Sequence, residues 1–287
     1  MTASLPFVLV HGAWHGAWSY ERVIPHLAAL GHAAVARDLP AHGINARFPD
    51  SFFQRPLDPA RFATEPSKVA GTTLDDYIAS IEQTISELTG LGHSKVVLVG
   101  HSMGGVPITA VAERIPEKIA HLVYLTAFMP ALGMPGIAYI NAPENAGELI
   151  GPQLMADPAQ TGALRMDHRS NDPSYVQNAK LAFYEDVSDE AYAAIAHLLT
   201  PDVPVGPFAT PITTSAERWG SVRRHYIKCL QDRAIRPALQ QRFIDEANAF
   251  VPAKPTRVQT LDSSHSPFMS QPRVLAELLA EIAQQQD

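Results

Sequence analysis

The 287-residue sequence holds a single cysteine, Cys229, so no intrachain disulfide can staple it and no oxidising compartment is required. Excess positive charge is also missing. The 22 Lys and Arg against 29 Asp and Glu leave −7, and no basic stripe offers a surface to nucleic acid or an anionic membrane. No stretch approaches the ~18 apolar residues that a bilayer span needs. The N-terminal MTASLPFVLVHG has no basic region and too short an apolar run for a signal peptide, so the cytoplasm is the expected location. What remains is an ordinary soluble composition, 46% apolar and 18% charged, at a length that fits one large α/β domain with or without an inserted subdomain.

Short apolar runs alternate with helix-period segments, the pattern of a parallel sheet wrapped by helices. PFVLV (6–10), HAAVARD (32–38), KVVLVG (95–100), KIAHLVYLTAF (118–128), RHYIKCL (224–230) and TRVQTL (256–261) read as strands. Helices are expected over 19–31, from Leu74 with Thr73 and Asp76 at capping-box spacing, after residue 104 with Pro107 near its start, and over 237–249. A last helix is expected with Ser270 as N-cap and Val274, Leu275, Leu278, Leu279 and Ile282 as its buried stripe. Residues 40–72 look like a long excursion without a steady period. From 129 to 218 the alternation fails apart from a helical patch at 188–200, which predicts an inserted cap between core segments 1–128 and 219–287.

The most informative stretch is VVLVGHSMGG. It contains G-x-S-x-G as Gly100-His101-Ser102-Met103-Gly104, directly after a strand and before a helix, which is the context of a nucleophile elbow. The turn is so tight that the positions two before and two after the serine need minimal side chains. Ser102 is thus the expected nucleophile, with the amide of Met103 as one donor to a developing oxyanion.

A serine hydroxyl needs an imidazole to take its proton. Of the twelve histidines, His265 alone lies downstream of Ser102 in a loop between a late strand and a helix, within SSHSPFMSQP. His101 sits in the elbow, His121 and His225 in or beside strands, and His168 and His197 in the cap. His26, His32, His42 and His93 read as surface or turn residues. The acid that orients the base follows a strand in YIKCLQDRAIRP, at Asp232; Asp262 is too near His265 in sequence, and Asp245 lies inside a helix.

Together FVLVHGAWHGAW, the LDDY of the helix at 74–77, VLVGHSMGG, WGSVRRHYIKCLQDRAI and SSHSPFMSQP resemble the α/β-hydrolases, in the branch of plant methylesterases, hydroxynitrile lyases and bacterial esterases. The resemblance implies an α/β-hydrolase fold, a mainly parallel sheet flanked by helices with an inserted helical cap. It also implies the Ala13 amide as second oxyanion donor, small-molecule ester substrates, no cofactor and no metal, and it allows a homodimer. Gly12, Trp14, His101, Phe128, Tyr139 and Ser266 are candidate substrate contacts, and Met134, Phe183, Tyr184 and Leu198 further candidate wall residues. The lyases of this branch carry threonine at the position of Gly12 and lysine at that of Ser266, where a cation would stabilise departing cyanide. Both departures favour a carboxylesterase acting on small to medium apolar or aryl esters. The alternatives are a hydroxynitrile lyase, a cofactor-free haloperoxidase or perhydrolase using the same triad, and a non-catalytic ligand receptor on this fold.

The doubled HGAWHGAW places His11 and His15 four apart, but in no helix and without the glutamate of H-E-x-x-H, so a metal site is not expected. Its first half is expected to present an amide to the oxyanion, and its second to lead into the first helix.

Overall fold

A strand covered by helices on both faces has no solvent side, so its sequence loses the apolar–polar alternation. VVLVGH and FVLV are of this kind. In the computed structural model, which describes residues 4–285, both are wholly buried. In chain order the strands are β1 (Phe7–Val10), β2 (Ala34–Ala36), β3 (Val96–His101), β4 (Ile119–Leu125), β5 (Ala163–Arg165), β6 (Asp202–Pro204), β7 (Arg223–Cys229) and β8 (Arg257–Leu261). Six of them make one sheet in the order β2-β1-β3-β4-β7-β8, with every neighbouring pair parallel. β5 and β6 form a separate antiparallel pair. The chain leaves β1 toward β2 on one side and returns to β3 on the other, so a crevice opens beyond the carboxyl ends of β1 and β3.

The helix Leu74–Gly90 begins at the expected capping box, Thr73 accepting from the Asp76 amide and Asp76 from that of Thr73, and it buries Tyr77, Ile78, Ile81, Ile85 and Leu88. Two helices differ from expectation. Over 19–31 a 3₁₀ turn, Ala17–Tyr20, precedes a short helix, Ile24–Ala29, because Pro25 has no amide to donate and sits comfortably only in a first turn. At the C-terminal end Ser270 is not the N-cap. It closes a one-turn helix, Pro267–Ser270, and Pro272–Gln284 starts after Gln271 without a side-chain cap. That helix buries Leu275, Leu279 and Ile282, whereas Val274 is 41% exposed.

The excursion at 40–72 holds 3₁₀ turns and the helix Pro59–Thr64, whose free amides at 60 and 61 bond the Asp58 carboxylate. It is fastened to the β5–β6 pair through one arginine. Arg165, fully buried, makes a two-pronged ion pair with Asp202 at 2.7 and 2.7 Å, gives Nη1 to the carbonyls of Phe62 and Glu65, and lies over the Phe62 ring. Removing one member of such a pair strands a charge away from water. Asp202→Ala should therefore cost about 3–5 kcal/mol in a urea-unfolding titration; a loss under ~1 kcal/mol, the value of an exposed pair, would contradict this role.

Candidate active site

The elbow is built by what its glycines omit. A Cβ on Gly100 would lie 2.7 Å from the Gly104 carbonyl oxygen, one on Gly104 2.6 Å from that of His11, and one on Gly105 2.0 Å from that of Phe128. With nothing at these positions β3 turns at once into the 3₁₀ turn Ser102–Gly104 and the helix Gly105–Arg114, where Pro107 falls in the first turn. Ser102 takes φ +54°, a conformation side chains rarely adopt, and its carbonyl accepts the Phe128 amide at 3.0 Å.

His265 and Asp232 meet across the ends of β8 and β7. The imidazole donates from Nδ1 to Asp232 Oδ2 at 2.6 Å, which leaves Nε2 as the basic nitrogen; that atom is buried without a hydrogen bond among the described residues. The Asp232 carboxylate is itself wholly buried. Oδ1 accepts the amides of Ala234 and Ile235 at 2.7 and 2.9 Å, and Oδ2 also accepts the Thr126 hydroxyl. Thr126, just past β4, holds φ +36°. The loop before His265 is held by Asp186, which accepts Ser263 Oγ, Ser264 N and Ser264 Oγ. Burial raises the Asp186 pKa, but these serine bonds outweigh it and hold the group below the usual range.

The segment after β1 is shaped by its own histidines. His11 Nε2 accepts the Leu39 amide at 3.0 Å, so its proton is on Nδ1, which donates to the Gly12 carbonyl at 2.9 Å. The Gly12–Ala13 peptide is trans, so its N–H points away from that carbonyl. The Ser102–Met103 peptide is likewise held by its carbonyl. Ala13 and Met103 both line the same cavity as Ser102. A Cβ on Gly12 would fall 2.8 Å from Ser102 Cβ and 2.9 Å from His101 Nδ1, so bare glycine lets these parts close up. His101 gives Nε2–H to the His265 carbonyl at 2.9 Å, bracing the loop of the proposed base.

A narrow apolar cavity lies above Ser102. Trp14, Phe128, Ile140, Ile150, Leu154, Leu164, Phe183 and Phe208 supply its apolar wall. Its polar members are engaged elsewhere: Glu148 accepts the amides of Ile150 and Gly151, and Asn145 bonds the Arg236 amide and the Ile140 carbonyl. Of the candidate contacts, Trp14, Phe128 and Phe183 stand in the wall. Gly12, His101 and Ser266 are buried and do not line it. Tyr139 lies outside it, its hydroxyl donating to Glu246 at 2.7 Å and its ring against Phe243, because the 3₁₀ turn Gly136–Tyr139 turns it toward the helix Pro237–Phe250. Tyr184 is also outside the lining, as are Met134 and the half-exposed Leu198. His42 and His32, read as surface or turn residues, are buried; His42 opens the 3₁₀ turn Gly43–Asn45 and packs on His11 and Tyr77. Thr126, Asp186 and Asn145 escape a motif reading, although Thr126 does stand where functional residues of such sheets gather, at a strand's carboxyl end.

A family profile described as the alpha/beta hydrolase family matches residues 7–278. Methylesterase 7 of Arabidopsis thaliana is 32% identical over 286 residues, covering 96% of this chain and 95% of the relative. Norfluorocurarine synthase 1 of Strychnos nux-vomica is 30% identical, covering 96% and 94%. Among solved structures, polyneuridine aldehyde esterase superposes with TM-score 0.74 at 26% identity, over 98% of this chain and 100% of that one. A pyrethroid hydrolase of Sphingobium faniae, 23% identical with TM-score 0.73 over 97% of each chain, shares the fold.

The buried imidazoles have a consequence for stability. Burial pushes His15, His168 and His225 down to about 3 and His42 to about 4, and it holds His11 and His101 well below the ordinary value. Below pH ~6.5 the unfolded chain takes up protons that the native one refuses, so this stability is complete above that pH and is lost as pH falls. Urea-unfolding free energies should drop between pH 6.5 and 5 more steeply than the ~1.4 kcal/mol per pH unit of one histidine. A slope at or below that value would show that these rings gain protons in the native state.

Proposed function

From the chain's membership of the alpha/beta hydrolase family, in the branch of the plant methylesterases, we propose that it is a serine carboxylic-ester hydrolase, a carboxylesterase for small to medium esters with an apolar or aryl part. The observations that carry this reading are the buried pair Asp232–His265, its Nε2 unbonded, and a serine held at positive φ in the wall of an apolar cavity.

In the proposed cycle Ser102 Oγ attacks the ester carbonyl as His265 Nε2 takes its proton. Asp232 keeps the imidazole in the Nδ1–H tautomer and offsets the charge it gains. The amides of Ala13 and Met103 hold the negative oxygen of the tetrahedral intermediate. Collapse expels the alcohol, which leaves with the proton from His265. Water then gives its proton to the same nitrogen and its oxygen to the acyl carbon, releasing the acid and restoring Ser102. Residues 129–218 act as the cap that supplies most of the apolar wall. Trp14 and Phe128 contact the substrate, while Gly12, His101 and Ser266 shape the site from behind.

Release of cyanide calls for a cation near the leaving group. No Lys or Arg stands in the cavity wall among the described residues, and Ser266 is buried beside Tyr184 rather than facing the substrate. This favours ester hydrolysis over cyanohydrin cleavage. No described helix is long and apolar enough to cross a membrane. The cytoplasm is the proposed location and a small molecule the proposed partner. Purified protein should cleave members of a panel of nitrophenyl, methyl and aryl esters faster than it releases cyanide from mandelonitrile. Ser102→Ala should lose on the order of 10⁶ in turnover. Ester cleavage surviving in that variant would sink the mechanism, and dominant cyanide release would overturn the class.

A further inference from the structure

The second histidine of HGAWHGAW does more than lead into a helix. His15 folds back so that Nδ1 donates to the Ala13 carbonyl at 2.6 Å, and its other nitrogen accepts the Tyr184 hydroxyl at 2.5 Å. A carbonyl can only accept, so the tautomer follows: the proton is on Nδ1, and the phenol donates to Nε2. The ring is boxed by Trp18, stacked at 5.5 Å, and by Phe268, edge-on at 5.8 Å. Burial keeps the imidazole neutral, with a pKa down at about 3.

Tyr184 closes the helix Pro173–Phe183, which belongs to the proposed cap. Three more bonds join that segment to the same turn: Trp14 Nε1 donates to the Leu164 carbonyl at 3.2 Å, and the Thr200 amide and hydroxyl to the Trp14 carbonyl at 3.0 and 3.3 Å. Trp14 holds φ +60°, a conformation that only outside restraint maintains for a bulky side chain. His11 fixes the Gly12 carbonyl and so the near side of the Ala13 residue; His15 fixes the Ala13 carbonyl and so its far side. Ala13 N–H therefore has its direction set from both flanking peptides.

We propose that Tyr184 and His15 form a positioning relay, by which the cap sets the aim of the Ala13 amide at the oxyanion. Tyr184 lies outside the cavity lining, so its hydroxyl acts through His15 and not through the substrate. The relay rests on the serine-esterase reading.

The test uses the full chain, the best ester of the panel, and two ligands: phenylboronic acid, which adds to the serine and places an oxygen where the oxyanion forms, and the alcohol product. His15→Ala should lower kcat about 10- to 100-fold, short of the 10²–10³ for outright loss of an oxyanion donor, with KM within about 2-fold. Boronate affinity should fall with kcat while alcohol affinity holds. Tyr184→Phe, which keeps the ring, should lower kcat by a smaller factor and add nothing on top of His15→Ala. His15→Asn, whose side-chain amide can replace the Nδ1–H donor, should recover most of the loss. Unchanged kcat in His15→Ala, equal losses of boronate and alcohol affinity, additive losses in the double variant, or no recovery with asparagine would each overturn the relay. Ser102→Ala run in parallel separates the two claims. Inactivity there with normal turnover in His15→Ala removes the relay alone, and full activity there removes the serine mechanism and the relay with it.

Discussion

The site depends on one buried carboxylate. Asp232 is closed off from water, and an ionised group there is tolerable only if its lone pairs are filled. They are filled by the amides of Ala234 and Ile235, the Thr126 hydroxyl and the His265 ring. These donors come from beyond the ends of three adjacent strands, β4, β7 and β8. Satisfying the charge thus brings those ends into register and leaves His265 one orientation. The strained φ at Thr126 fits this picture, since the residue is held where its hydroxyl reaches the carboxylate rather than where its backbone would relax.

Around that anchor the chain works mostly with backbone. The elbow glycines are absences that let β3, the first turn of the following helix and the segment after β1 approach to contact. The two proposed oxyanion peptides share one construction. Each has its carbonyl bonded, Gly12 by His11 and Ser102 by the Phe128 amide, so each N–H is pointed away from that bond without help from a ligand. Dipoles oriented before the reaction need not be reorganised during it.

The sequence announced this scaffold unevenly. Strands β1, β3, β4 and β7 fall within a few residues of their expected runs, because burial on both faces leaves a largely unbroken signal, whereas β8 is a mostly exposed edge strand that follows from the alternation of elements alone. Ser102, His265 and Asp232 were expected as a set because each sits where chain order meets a strand's carboxyl end, and the structure joins the last two. Asp186, Thr126 and the roles of His15 and Tyr184 were not, since their meaning lies in partners such as Ser264, Asp232 and Ala13 that no spacing rule connects. Tyr139 shows the opposite failure: an aromatic in the right segment reads as pocket wall, yet its hydroxyl finds Glu246 and its ring the core. His42 stands at a turn, as one of its two readings had it, but its burial was not legible, because nothing in the sequence shows that Tyr77 and His11 close over it.

The irregular segment 129–218 and the turn after β1 cannot be treated as independent parts. Leu164, Tyr184 and Thr200 each bond that turn, and Phe183 and Leu164 also stand in the cavity wall. Displacing the segment enough to widen the cavity breaks the bonds that orient the turn. In the proposed mechanism an ester too bulky for the cavity would meet a second penalty besides steric exclusion: the geometry it forces is one in which the Ala13 amide is no longer aimed. Under that proposal, selection by size and stabilisation of the oxyanion become a single property of the same contacts. Binding energy is then useful to the reaction only when the substrate leaves those contacts intact, and this is the condition under which it lowers the barrier rather than merely filling the pocket.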